Sequence, residues 1–167
     1  PMDDKSFRLG NLILGNPEGT AGLEITASGP NLLFEADATI CLTGADFGAT
    51  IDGAPAPRGE ALAVKAGQTL AMGRANGGGM RGYILVAGGL DVVPYLGSSS
   101  TFTLGQFGGP AARALVAGDV LHLGDGAVGE PLPATLPPLT REWHLRVLYG
   151  PHGAPDFFTQ ADIAAFL

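Results

Sequence analysis

The 167-residue sequence is poor in charge and in long apolar runs. Only 15% of its residues are charged, and 9 basic against 16 acidic side chains give a formal charge of −7. No Lys/Arg cluster could neutralise a run of phosphates, and no apolar run approaches the roughly 18 residues that a membrane span needs. We therefore expect neither nucleic acid nor a membrane as a partner.

Residues that form disulfides or bind metals are also few. The single cysteine, Cys41, lies in an apolar run and can form no disulfide within the chain, so we expect it to pack as a small hydrophobe. The histidines His122, His144 and His152 do not pair at metal-ligand spacing, so no metal site is expected. With no export signal in the N-terminal residues, these features favour a reducing cytoplasm.

Glycine and proline, by contrast, are abundant: 27 glycines and 13 prolines predict short strands joined by tight turns. The spacing of apolar residues predicts one helix from Asp3 to Leu14, with Asp3 as N-cap and Gly15-Asn16-Pro17 as its stop. Asp52-Gly53 is typical of a hairpin turn. Strands are expected within the following ranges: 22–28, 31–34, 38–42, 62–64, 69–72 and 83–87.

The pattern changes at residue 125, where four prolines in residues 125–142 predict an extended connector. Residues 143–149 alternate like a strand, and residues 159–167 resemble a helix capped by Thr159 or Asp162. This change of pattern divides the chain into a first unit of residues 1–124, the connector and residues 143–167.

The densest polar cluster covers residues 97–109. Its hydroxyls and unencumbered amides could donate hydrogen bonds to a carboxylate or an oxyanion, with Ser98, Ser100 and Thr101 as donors. Gly108 and Gly109 would let a ligand approach the backbone. A plain Ser/Thr-rich loop between two strands explains the same residues. Arg113, expected on a helical turn of residues 111–115, could pair with an anion or with Asp119.

Other polar residues allow two interpretations each. The cluster of residues 43–48 follows a buried-looking strand, so Thr43 and Asp46 would lie at a sheet edge. Asp46 could orient a substrate amide, or its side chain could cap a turn. Asp3 could bind substrate or act only as an N-cap, and Asn11 could bind substrate or bridge the helix to a loop.

Several motifs resemble one known family. They include Pro1-Met2-Asp3-Asp4, Leu14-Gly15-Asn16-Pro17-Glu18-Gly19, Leu42-Thr43-Gly44-Ala45-Asp46, Ser100 through Gly109, and Gly150 through Phe158. The resemblance is to the carboxyltransferase domain of urea carboxylase and urea amidolyase. The wider family includes allophanate hydrolase subunit 2, the kinase-inhibitor partner KipA and a 5-oxoprolinase subunit. The resemblance implies a mainly β fold: a cyclophilin-like β-barrel with a few short helices, one half of a tandem-barrel carboxyltransferase domain. Residues 1–124 would be the first barrel half without its N-terminal strands, and residues 143–167 would be the truncated start of the second half.

The resemblance implies transfer of a carboxyl group from carboxybiotin to urea, which forms allophanate. Biotin would arrive on a separate carrier domain, and ATP and bicarbonate would be used by a separate biotin carboxylase component. The second half of the domain would be a further partner, without which the chain should be inactive. An oxoprolinase-type subunit and a KipA-like regulatory binding module are the alternatives.

The resemblance also extends to site residues. This chain departs from the family pattern at three places, one of which is a proline displaced by one position within residues 91–95. We assign catalytic roles to Ser98, Ser100, Thr101 and Arg113, and substrate-binding roles to Asp3, Asn11, Thr43, Asp46, Gly108 and Gly109. The family commonly has Arg where this chain has Ser99 and usually Gly where it has Ala112. Without that Arg, the loop lacks a guanidinium suited to a carboxylate, although Arg113 remains.

Overall fold

The computed structural model describes residues 1–148 and 154–166, which form three helices and eight strands. In chain order these are α1 (Asp4–Ile13), β1 (Leu23–Thr26), β2 (Asn31–Leu33), β3 (Ala38–Gly44), β4 (Thr50–Ile51), β5 (Ala54–Pro55), β6 (Ala61–Val64), β7 (Thr69–Ala71), β8 (Arg81–Val86), α2 (Ala154–Phe157) and α3 (Gln160–Phe166).

Helix α1 forms where the sequence predicts it. Asp3 is the N-cap, and its carboxylate accepts a hydrogen bond from the Ser6 N–H (3.1 Å). This bond satisfies one of the four amides that a helix start leaves without a partner. The helix ends at Ile13 because Gly15 takes a positive φ of 76°, which a glycine adopts without strain.

One four-stranded antiparallel sheet has the order β1-β8-β3-β6 and is covered on both faces. Successive strand residues point to opposite faces, so Ile40 and Leu42 face one side and Cys41 faces the other. On the side of Cys41, Tyr83 and Leu85 pack against Ile13 and Leu14 at the end of α1. Burial on both faces explains why β3 and β8 read as nearly continuous apolar runs.

The other sheet has the order β2-β7-β4-β5. Its β4–β5 hairpin turns at Asp52-Gly53, where φ is 49° and 83°, as the sequence predicts. The main core lies between the sheets and includes Leu70 from β7 and Ile84 from β8. Isolated bridges, Ser28–Arg74 and Asp46–Asn76, continue the pairing beyond the named strands.

The mainly β fold with a few short helices is therefore confirmed, although the described strands form two sheets and not a closed barrel. Each strand range predicted from the sequence overlaps a strand, although β3, β6 and β8 extend beyond the predicted ranges. The additional strands β4 and β5 form the two sides of the predicted hairpin. Within the described chain, no helix is long and apolar enough to cross a membrane.

Three expectations about the second half of the chain were wrong. Residues 111–115 form no helical turn, because the single bond from Ala112 N–H to Gly108 O (3.1 Å) precedes a positive φ at Ala112. Residues 97–109 do not lie between two strands, since only isolated bridges occur between residues 90 and 123. Residues 143–148 are exposed and have no strand partner, and Tyr149 lies outside the described residues.

The C-terminal helix was predicted correctly, with both suggested caps acting together. Thr159 Oγ1 accepts a hydrogen bond from the Asp162 N–H (3.2 Å), and the Asp162 carboxylate accepts one from the Thr159 N–H (2.9 Å). This reciprocal arrangement is a capping box with Asp at its third helical position. The hydrogen bonds from Thr159 lower the pKa of Asp162.

Candidate active site

The N-terminus of α1 is attached to the sheet through Asp3 and Tyr83. The Asp3 N–H donates to the Tyr83 hydroxyl (2.7 Å), and the Tyr83 ring packs edge-on against Phe7 with centroids 5.5 Å apart. Burial raises the pKa of Tyr83 above its ordinary value, so the phenol remains neutral. With its carboxylate on Ser6 and its amide on Tyr83, Asp3 has a structural role in this chain.

Asn11 is completely buried and fully hydrogen-bonded. Its amide nitrogen donates to the carbonyls of Glu18 (3.1 Å) and Thr20 (3.0 Å), and its oxygen accepts from the Asn16 amide (3.0 Å). Asn11 therefore bridges the helix to the following loop, which is one of the two interpretations that the sequence allowed. Its side chain has no exposed donor or acceptor to offer a substrate.

Asn16, which the sequence analysis did not select, completes this network. Its amide also donates to Val86 O (2.8 Å), and its oxygen accepts from the Gly88 N–H (2.9 Å). The Gly-Asn-Pro sequence after α1 was interpreted only as a helix stop, and nothing in it indicates a partner 70 residues away. Asn11 and Asn16 together join α1 to the end of β8.

Thr43 lies beneath α1 and not at an accessible sheet edge. It pairs in register with Tyr83, is 1% exposed, and among the described residues its hydroxyl has no hydrogen-bond partner. A Cβ added at Gly10 of α1 would lie only 2.8 Å from Thr43 Cγ2, so the helix packs directly over this side chain. A substrate could reach the Thr43 hydroxyl only if α1 moved.

Asp46 caps a turn through its own side chain, as one of its two interpretations predicted. Its carboxylate accepts from the Gly48 N–H (2.8 Å), and its carbonyl accepts from the Asn76 N–H (2.8 Å). Unlike Thr43, Asp46 is exposed. Its carboxylate therefore remains accessible to a ligand.

The hydroxyl-rich loop of residues 97–109 forms an exposed projection beyond the two sheets. Bridges between Tyr95 and Ser98 and between Phe102 and Phe107 fold it back on itself, and the Ser98 hydroxyl accepts from the Ser100 N–H (3.1 Å). The Phe107 ring packs against Tyr95 and Phe102, with centroids 4.9 and 5.2 Å apart. These rings hold the loop in shape, and Ser98, Ser100 and Thr101 face solvent.

The two glycines at the end of the loop allow a close approach within the loop itself. Gly108 and Gly109 have φ of 72° and 60°, and a Cβ at either position would collide with Ser100 or Thr101. Glycine is thus required at both positions. The described contact is between the two sides of the loop, and whether a ligand also approaches there stays a prediction.

Arg113 is paired with Asp119, which was one of its two predicted partners. Both terminal guanidinium nitrogens, Nη1 and Nη2, donate to the carboxylate (2.8 and 2.9 Å), and this carboxylate also accepts from the Val116 N–H (2.8 Å). The bonds from Arg113 hold the pKa of Asp119 well below its usual range. Arg113 also forms one wall of an open depression of about 570 Å³, which Thr103, Gln106 and Ala112 line as well.

All but one of the predicted site residues thus fall into two groups. Ser98, Ser100, Thr101, Gly108 and Gly109 lie on the projection with Arg113 beside it, and Asp3, Asn11 and Thr43 lie around α1. Asp46, in the turn after β3, belongs to neither group. Within residues 1–148 and 154–166, no hydrogen bond or ion pair joins the two groups. The described part of the chain also contains no group of three or more His, Cys, Asp or Glu residues placed to hold a metal ion.

Comparison with known proteins identifies the class to which this fold and its polar loop belong. The profile of the family described as "Carboxyltransferase domain, subdomain A and B" matches residues 1–167, so the chain belongs to this carboxyltransferase-domain family. The urea amidolyase of Saccharomyces cerevisiae is 42% identical over 176 residues, which cover 99% of this chain and 10% of the relative.

Structural comparison agrees with the sequence comparison. The urea carboxylase of Kluyveromyces lactis matches with a TM-score of 0.89 at 38% identity, over 99% of this chain and 16% of that one. A 5-oxoprolinase subunit of Escherichia coli is 41% identical over 123 residues, or 74% of this chain and 39% of the relative. The chain spans about a tenth of the length of the urea amidolyases that it matches.

Proposed function

We propose that this chain is part of the carboxyltransferase unit of a biotin-dependent urea carboxylase. The observation that carries the proposal is the extent of the similarity: a urea amidolyase aligns at 42% identity over 99% of the chain. The second half of the carboxyltransferase domain, a biotin carboxylase and a biotin carrier domain would be its partners. ATP and bicarbonate would be consumed by the carboxylase and not by this unit.

In the proposed reaction, the bond between N1′ of carboxybiotin and its carboxyl carbon breaks, and a urea nitrogen bonds to that carbon. The urea nitrogen loses a proton, N1′ gains one, and the products are allophanate and biotin. Urea nitrogen is a weak nucleophile, so positioning and stabilisation of the developing charge should dominate catalysis.

The projection of residues 97–109 supplies the groups for this role. Its hydroxyls at Ser98, Ser100 and Thr101 are exposed, and such donors suit a carboxylate that a carrier delivers and that leaves on the urea product. Outside the projection, Asp46 is the predicted residue best placed to orient a urea amide, because its carboxylate is exposed. Arg113 would act through its bond to Asp119, which shapes the depression beside the loop.

An oxoprolinase-type subunit is the second candidate, because the 5-oxoprolinase relative from E. coli is nearly as similar in identity. Its alignment covers 74% of the chain against 99% for the yeast urea amidolyase, which favours the urea reaction. The two candidates differ in chemistry, since ring opening of 5-oxoproline needs no biotin.

The test uses the complete protein that contains this chain, incubated with ATP, radiolabelled bicarbonate and either urea or 5-oxoproline. We expect urea-dependent incorporation of label into allophanate, and avidin, which sequesters biotin, should abolish it. Glutamate formation from 5-oxoproline that avidin does not inhibit, with no labelling of urea, would establish the alternative.

A further inference from the structure

The connector of residues 125–142 follows a defined path across the first unit. Near its start, the Gly126 N–H donates to Gly88 O (3.1 Å). The Gly129 N–H then donates to Gly15 O (2.7 Å) and the Leu132 N–H to Leu12 O (3.0 Å), both at the C-terminal end of α1. At the far end, Arg141 Nε donates to Gly77 O (3.2 Å). The connector is therefore attached at three separate places.

Prolines in the connector determine which amides can make these bonds. Leu132 lies between Pro131 and Pro133, which have no N–H, so its amide is the one donor available in that triplet. The carbonyl of Leu12 belongs to the last turn of α1, where it accepts from the Gly15 N–H (3.0 Å) as well as from Leu132. The connector thus caps α1, and its Ala134 packs on the buried cluster beneath the helix.

Glycines of the first unit provide the space in which the connector lies. A Cβ at Gly78 would collide with the backbone of Thr140, whose nitrogen would be 2.8 Å away. A Cβ at Gly59 would lie 3.1 Å from the Leu136 side chain. On the connector itself, a Cβ at Gly126 would lie 2.7 Å from Gly88 O. Contacts this close to backbone atoms leave no room for a larger residue.

The far end of the connector arrives beside a predicted substrate-binding residue. Gly77, which accepts the bond from Arg141, directly follows Asn76, whose N–H donates to the Asp46 carbonyl. Gly79 lies against Ala45 on one side and the Leu139 side chain of the connector on the other. The end of the connector therefore lies against residues 77–79, which follow the residue that pairs with the Asp46 backbone.

We propose that Gly78 and Gly126 are positioning residues: by holding the connector in place, they make it a fixed spacer that sets where the chain enters the second half of the domain. The proposal rests on the proposed carboxyltransferase function, in which groups from both halves would meet at one site. A displacement of about 1 Å at such a site can lower a rate by roughly 10²-fold.

The test compares Gly78→Ala and Gly126→Ala in the complete protein. Neither glycine has a positive φ, so each substitution introduces a collision without backbone strain. Gly19→Ala is the control, because Gly19 also lacks a positive φ and a Cβ there would meet nothing within 4 Å. Two quantities are measured: hydrogen–deuterium exchange of peptides containing Gly129 and Leu132, and the kcat and KM of carboxyl transfer to urea.

In Gly126→Ala, whose collision with Gly88 O lies just before Gly129, we expect exchange of these two amides to accelerate by about 10-fold or more. In both variants we expect kcat to fall by about 10- to 100-fold. Biotin carboxylation should be unchanged, and the control should match the wild type in both measurements. Unchanged exchange in Gly126→Ala, or unchanged transfer in Gly78→Ala, would overturn the proposal, since that glycine would then not hold the connector in place. Faster exchange with unchanged transfer would equally overturn it.

A lengthened connector tests the position of its exit point separately from the hydrogen bonds that hold it to α1. Insertion of Gly-Ser between Pro137 and Pro138 leaves the bonds of Gly129 and Leu132 in place, so their exchange should stay slow, but the exit point can move and transfer should fall. Full transfer in this variant contradicts the proposal. If the wild-type protein transfers no carboxyl to urea, the proposed function is wrong, and the exchange data alone decide whether the glycines hold the connector.

Discussion

At the scale of single residues, the predicted site residues differ mainly in exposure. Ser98, Ser100 and Thr101 are exposed on the projection, whereas Asn11 and Thr43 are buried under or within α1. A side chain that is fully buried inside the protein cannot bind a substrate without local unfolding. The exposed hydroxyls are therefore the stronger candidates for catalysis, and the buried pair should affect stability.

Replacing Ser100 by Ala in the complete enzyme tests the donor role. We expect carboxyl transfer to urea to fall by about 10²-fold, as for the loss of one oxyanion donor, while biotin carboxylation continues. The melting temperature should barely change because the Ser100 side chain is exposed. Ser28→Ala, which removes another exposed hydroxyl, is the control. A variant that keeps its turnover but loses several degrees of stability would show that the loop is only structural.

Replacing Asn11 by Ala tests the opposite role. The change leaves the Glu18 and Thr20 carbonyls and one Asn16 N–H without their partner, so we expect unfolding free energy to fall by about 2–4 kcal/mol. Chemical denaturation measures the loss of stability. Asn31→Ala, at an exposed position, is the control and should change stability by less than about 0.5 kcal/mol. Normal stability combined with lost substrate affinity would instead support the substrate-binding role.

At the scale of elements, the turn of residues 113–119 is closed by one ion pair. Asp119 accepts from both terminal guanidinium nitrogens of Arg113 and from the Val116 amide. The ion pair therefore joins the two ends of the turn. The pair lies at the surface, where an isolated ion pair adds little stability. The ion pair would instead contribute by holding Arg113 in the wall of the depression beside the projection.

A double-mutant cycle shows whether Arg113 acts through Asp119 or on the substrate. If Arg113 acts through Asp119, then Arg113→Ala, Asp119→Ala and the double variant should lower carboxyl transfer by the same factor. Steady-state kinetics with urea provides the comparison, with biotin carboxylation as the internal control. A larger loss for Arg113→Ala than for Asp119→Ala would mean that the guanidinium itself contacts the substrate.

At the scale of the whole molecule, the proposed reactive groups lie on an open surface. The projection is exposed, and the depression next to Arg113 is open to solvent. Transfer of a carboxyl group requires that two reactants be held together with water excluded, which an open surface cannot provide. The missing walls of the site would have to come from the proposed partner half.

We therefore expect the 167-residue chain by itself to be inactive. Free carboxybiotin and urea incubated with this chain should yield no allophanate above the uncatalysed background, whereas the complete domain should yield it. Circular dichroism verifies that the isolated chain is folded. Turnover approaching that of the complete domain would show that these residues contain the entire site.

The buried Cys41 and Tyr83 predict how stability depends on alkaline pH. Burial raises the pKa of Cys41 from 9.0 to about 12 and also raises that of Tyr83. Because both pKa values are higher in the folded state, the stabilisation is complete below about pH 9 and is lost as the pH rises toward 12. The loss from Cys41 should approach about 1.4 kcal/mol per pH unit.

Urea denaturation between about pH 7 and pH 11 measures this slope. Cys41→Ala should remove most of the Cys41 contribution, although it also leaves a small cavity, so the change in slope and not the absolute stability is compared. In the native protein, the Cys41 thiol should react slowly with disulfide reagents at about pH 8 because it stays protonated and buried. Rapid labelling without unfolding would contradict the assignment.

Local features were predictable from sequence because their causes are local. The cap at Asp3 and the turn at Asp52-Gly53 depend on the preferences of neighbouring residues. The strands β3 and β8 were recognisable because burial on both faces requires a continuous apolar run. The family, too, could be identified from its motifs, since these motifs extend along the chain.

Contacts between distant parts of the chain were decided by the tertiary structure alone. The alternating pattern of residues 143–148 predicted a strand, but a strand needs a partner to satisfy its backbone, and the described chain provides none. Thr43 follows the same alternation as Cys41, and only the packing of α1 over the sheet buries its hydroxyl. Likewise, the sequence shows only that Gly78 lies in a run of glycines, and the position of Thr140 against it shows why a side chain cannot fit there.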